Sequence, residues 1–252
     1  MTDRSSPAER PDEPRPAYYA ARVGGWRDWW TLLHPPYTAW HLAYVVIGAC
    51  LAPVVNTTRL IATLLAFFFA VGLAAHALDE LHGRPLRTRI PGPALVAVAV
   101  AGLAGAVALG IAGIVQVGWV LVPFLVVGPM LVVGYNFEVF GGVVHNDVGF
   151  AASWGAFPVL TAYVAQTGTL ALAPVIAAFG ALTLSLAQRA LSTPARMLRR
   201  RTTEATGSII LTDGTRLPVD RAALLAPLEH ALRTLSWAVV LVAASLAVAR
   251  LR

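Results

Sequence analysis

The stretch LIATLLAFFFAVGLAAHALDELHGRPL, residues 60–86, decides the fold of this 252-residue chain. Its first part is almost wholly apolar. The part that follows brings together His76, Asp79, Glu80, His82 and Arg84. An apolar helix of about 20 residues crosses the hydrocarbon core of a bilayer, which is about 30 Å thick. The stretch therefore predicts a membrane span, over residues 59–81, that ends in a cluster of ionisable side chains.

The composition extends this prediction to the whole chain. Hydrophobic residues make up 57% of the sequence and charged residues only 13%, whereas a soluble domain carries about 25% charged residues. This excludes an ordinary soluble protein and predicts an all-α integral membrane bundle of about seven spans. The net charge of +6 lies in short segments beside apolar runs, so we expect no nucleic-acid partner. The predicted spans are 38–55, 59–81, 93–115, 117–138, 147–166, 169–190 and 231–250.

The regions outside the spans have different compositions. Residues 1–24 are rich in proline and in both charge signs, which predicts a disordered tail. Residues 25–195 hold the bundle, and residues 196–229 form a basic insert with a β-hairpin around Asp213-Gly214. Asp220 is predicted to cap the helix that follows it. Residues 230–252 are predicted to be the last span.

The arginines predict the orientation of the bundle. They concentrate in the N-terminal tail and in the connections after the second and sixth spans, whereas the opposite connections hold little more than Arg59. Cytoplasmic connections carry the excess of basic residues. We therefore expect a multi-pass protein of the plasma membrane with its N-terminus in the cytoplasm. Three polar clusters then lie on the cytoplasmic side.

The first polar cluster follows the second span. On a helix, His76 shares one side with Asp79 and Glu80, and His82 follows close behind. Carboxylates beside imidazoles can bind a divalent metal, and Arg84 suits phosphate oxygens. The alternative is a solvated helix end in which the two acids pair with nearby arginines.

The second polar cluster follows the fourth span. Asn136 and Glu138 end that span, and His145 and Asp147 follow in the connection. These side chains can complete a metal shell begun by the first cluster. Mg²⁺ is one candidate, and the histidines also suit Zn²⁺, Fe²⁺ or Mn²⁺. The alternative is an ordinary polar loop in which Asp147 caps the fifth span.

The third polar cluster lies at the end of the sixth span. Arg196, Arg199 and Arg200 share one helical face, a geometry that can hold a diphosphate, and Arg189 lies closer to the membrane core. The alternative is a basic segment that sets topology and binds lipid headgroups. His41, one turn into the first span, either reaches the same site or hydrogen-bonds a neighbouring helix.

These motifs together resemble the UbiA superfamily of intramembrane prenyltransferases. The segment LLHPPYTAWHLAYVVIGACLAP resembles the start of that family. AHALDELHGRPL resembles its first Asp-rich motif: His76 stands at the place of the first aspartate, Asp79 matches the second, and Arg84-Pro85 match the Arg-Pro. Tyr135 resembles the tyrosine that closes the fourth span. The second Asp-rich motif is replaced by AQRALSTPARMLRR.

The resemblance implies a metal-dependent transfer of a prenyl group from an isoprenoid diphosphate, with a membrane lipid as partner. It does not fix the oligomeric state. The roles it implies are catalysis by Asp79, Glu80 and Tyr135, substrate binding by Arg84, Arg189, Asn136, His41 and Arg196, and metal binding by His76, Asp79, His82, Glu138, His145 and Asp147.

Two other functions stay open at this stage. The histidines and acids can hold a transition metal for hydrolysis or oxidation of a lipid. Alternatively, the protein is not an enzyme and its intramembrane polar residues serve transport or a structural role. Transporters often show broken helices and inverted repeats, and neither is evident in this sequence.

Overall fold

The computed structural model describes residues 15–137 and 145–251, which form a bundle of α-helices with one β-hairpin. Two short π-helical segments interrupt the helices, at Phe68–Ala75 and Ala152–Ala156. The elements in chain order are α1 Trp26–Leu32, α2 Pro35–Cys50, α3 Thr57–Phe67, α4 His76–Leu81, α5 Gly92–Val117, α6 Val122–Asn136, α7 Asp147–Ala151, α8 Phe157–Thr167, α9 Leu172–Arg200, β1 Thr206–Ile210, β2 Arg216–Asp220 and α10 Arg221–Arg250.

Six continuous helical stretches in the described part of the chain are long and apolar enough to cross a membrane. This confirms the prediction of an all-α membrane bundle. Two of the stretches, Thr57–Leu81 and Asp147–Thr167, each join two α-helices through a π-helical segment. The six are Thr57–Leu81, Gly92–Val117, Trp119–Asn136, Asp147–Thr167, Leu172–Arg200 and Arg221–Arg250.

The first predicted span, 38–55, is a shorter helix than expected. Helix α2 has 16 residues, which at 1.5 Å per residue is about 24 Å, less than the hydrocarbon core. It nevertheless lies at the centre of the bundle, where it packs against α8 and α10 and buries Trp40 and Val45 completely. The seven predicted spans therefore correspond to six long helices and one short central helix.

The two ends of the bundle carry different side chains. We call the end that holds His34, His76 and Arg200 the cavity face, and the end that holds Cys50 and Arg250 the far face. At the far face, the Arg250 guanidinium donates to the backbone carbonyl of Cys50 at 3.1 Å and to that of Ala52. The last carbonyls of a helix lack partners within it and carry partial negative charge. Arg250, which lies opposite most other arginines, therefore stabilises the end of α2.

Helix α9 extends ten residues beyond the predicted end of its span at 190 and reaches Arg200, with Pro194 inside it. The chain therefore continues as helix through the predicted boundary between bundle and insert at 195/196. The consequence is that Arg196 and Arg200 project from the last turns of a helix rather than from a loop.

The predicted hairpin is present. Strands β1 and β2 pair antiparallel with Thr206 opposite Asp220 and Ile210 opposite Arg216, and Gly214 takes the positive φ that the turn requires. The Asp220 carboxylate accepts a hydrogen bond from the Ala223 N–H at 2.7 Å, which confirms the predicted cap. Helix α10 then runs unbroken from Arg221 to Arg250 and contains the predicted last span.

Replacing Gly48 by alanine is expected to destabilise the bundle by about 1–3 kcal/mol, the usual cost of overpacking. Gly48 lies where α2 crosses α8, and a Cβ at this position would overlap the backbone carbonyl of Val159. Backbone cannot move aside as a flexible side chain can. Thermal unfolding of the purified protein in detergent measures the effect. Gly180→Ala is the control, because a Cβ there meets no atom within 4 Å.

Candidate functional site

A polar cavity of about 740 Å³ opens at the cavity face between α2, α4, α6, α7 and α9. Eight of the predicted site residues line it, from five different parts of the sequence. The structure therefore brings the three polar clusters together, as expected from their common side of the membrane. These eight are His41, His76, Asp79, Tyr135, Asn136, His145, Arg189 and Arg196.

Arginines dominate the charge of this cavity. Arg196 lies in the electrostatic field of Arg189 and Arg200, and it has no ion-pair partner within residues 15–137 and 145–251. Arg199, in contrast, donates to both carboxylate oxygens of Glu229. The trio expected to hold a diphosphate is thus corrected: Arg199 is already neutralised by α10, and Arg189 and Arg200 flank Arg196 instead.

Asp79 and Glu80 do not share one side of the helix, contrary to the expectation from the sequence. Asp79 lines the cavity, within the field of Arg200 and Arg196. Glu80 is fully buried and accepts hydrogen bonds from the backbone N–H groups of Leu86 and Thr88, both at 2.9 Å, and from the Thr88 hydroxyl at 2.8 Å. Glu80 therefore holds the connection after α4 in place and faces away from the cavity.

The remaining residues of the first cluster also separate. The His76 ring stacks on His34 with 4.2 Å between centroids, and its Nδ1 lies 3.2 Å from the Gly72 carbonyl. His82 is exposed beyond the end of α4 and is not part of the cavity wall. The Arg84 guanidinium donates to the Ile90 carbonyl at 2.6 Å, so it braces the same connection as Glu80.

The second cluster is only partly assembled at the cavity. The His145 ring stacks on Tyr135 at 4.5 Å and its Nδ1 lies 2.9 Å from the Tyr135 carbonyl. Asp147 pairs with the Nε of Arg189 at 2.7 Å, so that acid neutralises an arginine. The fifth span is capped by Asn146, not by Asp147, because the Asn146 side chain accepts from the Gly149 N–H. Glu138 lies outside the described residues.

The metal shell predicted from these clusters does not form within the described residues. Across 15–137 and 145–251, no three His, Cys, Asp or Glu side chains come together as metal ligands. The physical reason is that Glu80 and Asp147 have other partners, while His82 lies elsewhere on the surface. The cavity wall carries two carboxylates, Asp79 and the ion-paired Glu229, among several guanidinium groups. This set fits an anion better than a divalent cation.

The N-terminal segment forms a roof over the cavity. Residues 15–24 were predicted to be part of a disordered tail, yet Pro16 to Tyr19 line the cavity. The carbonyl of Pro16 accepts from Arg200 at 3.2 Å. The Tyr19 hydroxyl lies 2.8 Å from Nδ1 of His34. The adjacent Tyr18 and Tyr19 are the sequence signal that this part of the tail packs on the bundle. The overall composition of the tail does not reveal it.

Burial under the N-terminal segment determines the charge states of His34 and Tyr19. Burial lowers the pKa of His34 well below its usual value, and the neighbouring His76 and Arg200 act in the same direction. Burial also raises the pKa of the Tyr19 hydroxyl. Both side chains are therefore neutral near pH 7, and the positive charge of the cavity comes from the arginines.

An apolar groove of about 150 Å³ adjoins the polar cavity. It lies between α3, α5, α6 and α8, and its wall includes Phe67, Leu103 and Phe157. Val71 and Trp154 line both spaces, and each belongs to one of the two π-helical segments. From Val71 the groove continues along α3 to Thr58. At a rise of 1.5 Å per residue, this stretch of helix is about 20 Å long.

The cavity wall also holds Gln188, a polar residue to which no role was assigned from the sequence. Gln188 is only 3% exposed and its Oε1 has no hydrogen-bond partner within the described parts of the chain. An unpaired buried amide oxygen is uncommon in folded proteins and points to a missing partner. A lone glutamine inside an apolar helix is the signal by which the sequence marks this position.

In comparisons with protein-family models, curated proteins and solved structures, no match to this chain was found.

Proposed function

We propose that the protein binds an isoprenoid diphosphate and transfers its prenyl group, as the resemblance to the UbiA superfamily implies. The observation that carries the proposal is that the two spaces adjoin: Val71 and Trp154 line both the arginine-lined cavity and the apolar groove. A ligand that fits both has an anionic head and a long apolar tail.

The head of such a ligand lies among Arg189, Arg196 and Arg200. Guanidinium groups bind phosphate oxygens through paired hydrogen bonds, and Arg196 and Arg200 have no ion-pair partner in the described residues. When the bond between the allylic carbon and the diphosphate breaks, negative charge grows on the leaving oxygens. Preorganised cations at that position lower the barrier because they stabilise this charge.

The tail of the ligand lies in the groove between α3, α5, α6 and α8. Its first carbon then sits at the boundary beside Trp154. The indole face favours positive charge, so Trp154 stabilises the allylic cation that forms as the diphosphate leaves. By the distribution of arginines, the cavity opens toward the cytoplasm, from which a water-soluble second substrate can enter.

Binding measurements on the purified protein test this proposal. Calorimetric titration with geranylgeranyl diphosphate, geranylgeraniol and inorganic pyrophosphate compares the whole ligand with its two parts. We expect geranylgeranyl diphosphate to bind more tightly than either part, and pyrophosphate to be released on prolonged incubation. Equal affinity for geranylgeraniol would contradict the assignment of the head site. Tight binding without pyrophosphate release in any condition would instead support a carrier of lipid diphosphates.

A further inference from the structure

His41 occupies a fixed orientation at the floor of the polar cavity. It is 5% exposed and its ring lies beside Phe150 and Trp154, with centroids 6.1 Å and 6.4 Å away. Its Nδ1 lies 2.9 Å from the backbone carbonyl of Trp154. A carbonyl oxygen only accepts, so Nδ1 carries the hydrogen. In the neutral ring, Nε2 therefore presents its lone pair.

Gln188 lies at the same depth as His41 on the opposite helix. The Ser185 hydroxyl is hydrogen-bonded to the Tyr44 hydroxyl at 3.3 Å, which fixes the register of α9 against α2. The two helices run in opposite directions. On α2, His41 lies about one turn from Tyr44 toward the cavity face. On α9, Gln188 lies about one turn from Ser185 toward the same face. Both side chains line the cavity.

Neither acceptor atom has a partner within the described chain. Nε2 of His41 makes no hydrogen bond there, and Oε1 of Gln188 is buried and unpaired. Two hydrogen-bond acceptors at the same depth in the cavity fit a ligand that carries hydrogen-bond donors. Trp154, whose carbonyl accepts the hydrogen bond from His41, also lines the apolar groove. In the proposed complex, the two acceptors therefore lie where the head of the isoprenoid diphosphate meets its tail.

We infer that His41 and Gln188 form the subsite for the second substrate, a molecule with an O–H or N–H nucleophile. His41 acts as the general base, and Gln188 positions the nucleophile by accepting a hydrogen bond. This inference rests on the proposed prenyl transfer. It goes beyond the role that the resemblance implies for His41, which is substrate binding.

The chemical step is a substitution at the allylic carbon. The nucleophile's oxygen or nitrogen forms a bond to that carbon, and the bond from the carbon to the diphosphate oxygen breaks, with its electron pair leaving on the diphosphate. The proton of the nucleophile moves to Nε2 of His41. The imidazolium then gives that proton to water in the open cavity, which restores the base.

Chemical labelling tests the subsite without any turnover. Diethyl pyrocarbonate acylates unprotonated imidazole nitrogens, and mass spectrometry locates the adducts. We expect His41 to be labelled through the cavity and to be protected by geranylgeranyl S-thiolodiphosphate, an unreactive analogue. Exposed His230 serves as the internal reference and is not protected. If His41 stays unlabelled while His230 reacts, Nε2 is not accessible from the cavity and the inference is wrong.

Turnover of geranylgeranyl diphosphate tests the chemical role, with n-propanol as the hydroxyl probe and hydroxylamine as the amine probe. His41→Asn keeps an N–H donor for the Trp154 carbonyl but removes the base. We expect it to lower kcat about 100-fold, the lower range for general-base catalysis, without change in the affinity for geranylgeranyl diphosphate. Gln188→Met is expected to raise the KM for the probe nucleophile about tenfold, with little change in kcat.

His230→Asn is the matched control, because it removes an exposed imidazole outside the cavity and is expected to behave like the wild type. If the wild type transfers the prenyl group and His41→Asn is equally active, the base assignment fails while prenyl transfer stands. If the wild type neither binds nor consumes the diphosphate, prenyl transfer fails, and the labelling result alone decides whether the subsite exists. Activity with one probe only identifies the class of nucleophile.

Discussion

Arg196→Gln is expected to weaken the binding of geranylgeranyl diphosphate about 100-fold, the loss that corresponds to one bidentate, charge-assisted contact. Arg196 lines the cavity together with Arg189 and Arg200 and has no ion-pair partner in the described chain. Its guanidinium is therefore available to the ligand. The affinity for geranylgeraniol, which lacks the diphosphate, is expected to stay unchanged. Calorimetric titration of both ligands measures the difference.

The control for Arg196 is Arg216→Gln. Arg216 carries the same charge but lies exposed on strand β2, away from the cavity, so its replacement is expected to leave both affinities within about twofold, the scale of ordinary surface changes. This comparison separates a local contact from the effect of net charge. If Arg196→Gln and Arg216→Gln bind the diphosphate equally well, Arg196 does not contact the head of the ligand.

Glu80→Ala is expected to destabilise the protein by about 3–5 kcal/mol, the range for breaking a buried charged network. The carboxylate accepts two backbone N–H groups and one hydroxyl from Leu86 and Thr88. The substitution leaves these donors buried without partners, at a cost of about 1–3 kcal/mol for each. Thermal or denaturant unfolding in detergent measures the loss.

The adjacent acid supplies the matched control. Asp79 lines the cavity, and its side chain makes no hydrogen bond within the described residues. Asp79→Ala is therefore expected to change stability by about 1 kcal/mol or less, as for exposed positions. Equal destabilisation by the two substitutions would mean that the carboxylate of Glu80 does not support the connection after α4.

The course of the main chain could largely be predicted from the sequence. Long apolar runs specify membrane helices because backbone polar groups must be satisfied within the bilayer. Asp213-Gly214 and Asp220 specify the hairpin and the start of α10 through local turn and cap chemistry. These features depend on near neighbours in the chain, and for that reason a single sequence reveals them. The end of α2 instead contacts a distant residue, because Arg250, 200 residues away, donates to the Cys50 carbonyl.

The candidate site was less predictable, because its partners are distant in the sequence. Asp79 and Glu80 are adjacent, and only the fold of the connection after α4 decides which of them faces the cavity. Arg199 belongs to the same arginine run as Arg196, but Glu229 neutralises it from another helix. The clusters were correctly expected to meet, since all lie at one end of the bundle.

The central claim is that one ligand occupies both the polar cavity and the apolar groove. The most direct measurement is photo-crosslinking with a geranylgeranyl diphosphate analogue that carries a benzophenone on its terminal isoprene. With the head among the arginines and Val71 and Trp154 at the boundary, the tail ends near the far face. The account predicts adducts at Ala62, Gly113 and Gln116, which line that end of the groove, and their loss in Arg196→Gln. Adducts concentrated instead on the outward surface of α10, at Trp237 or Leu241, would contradict it.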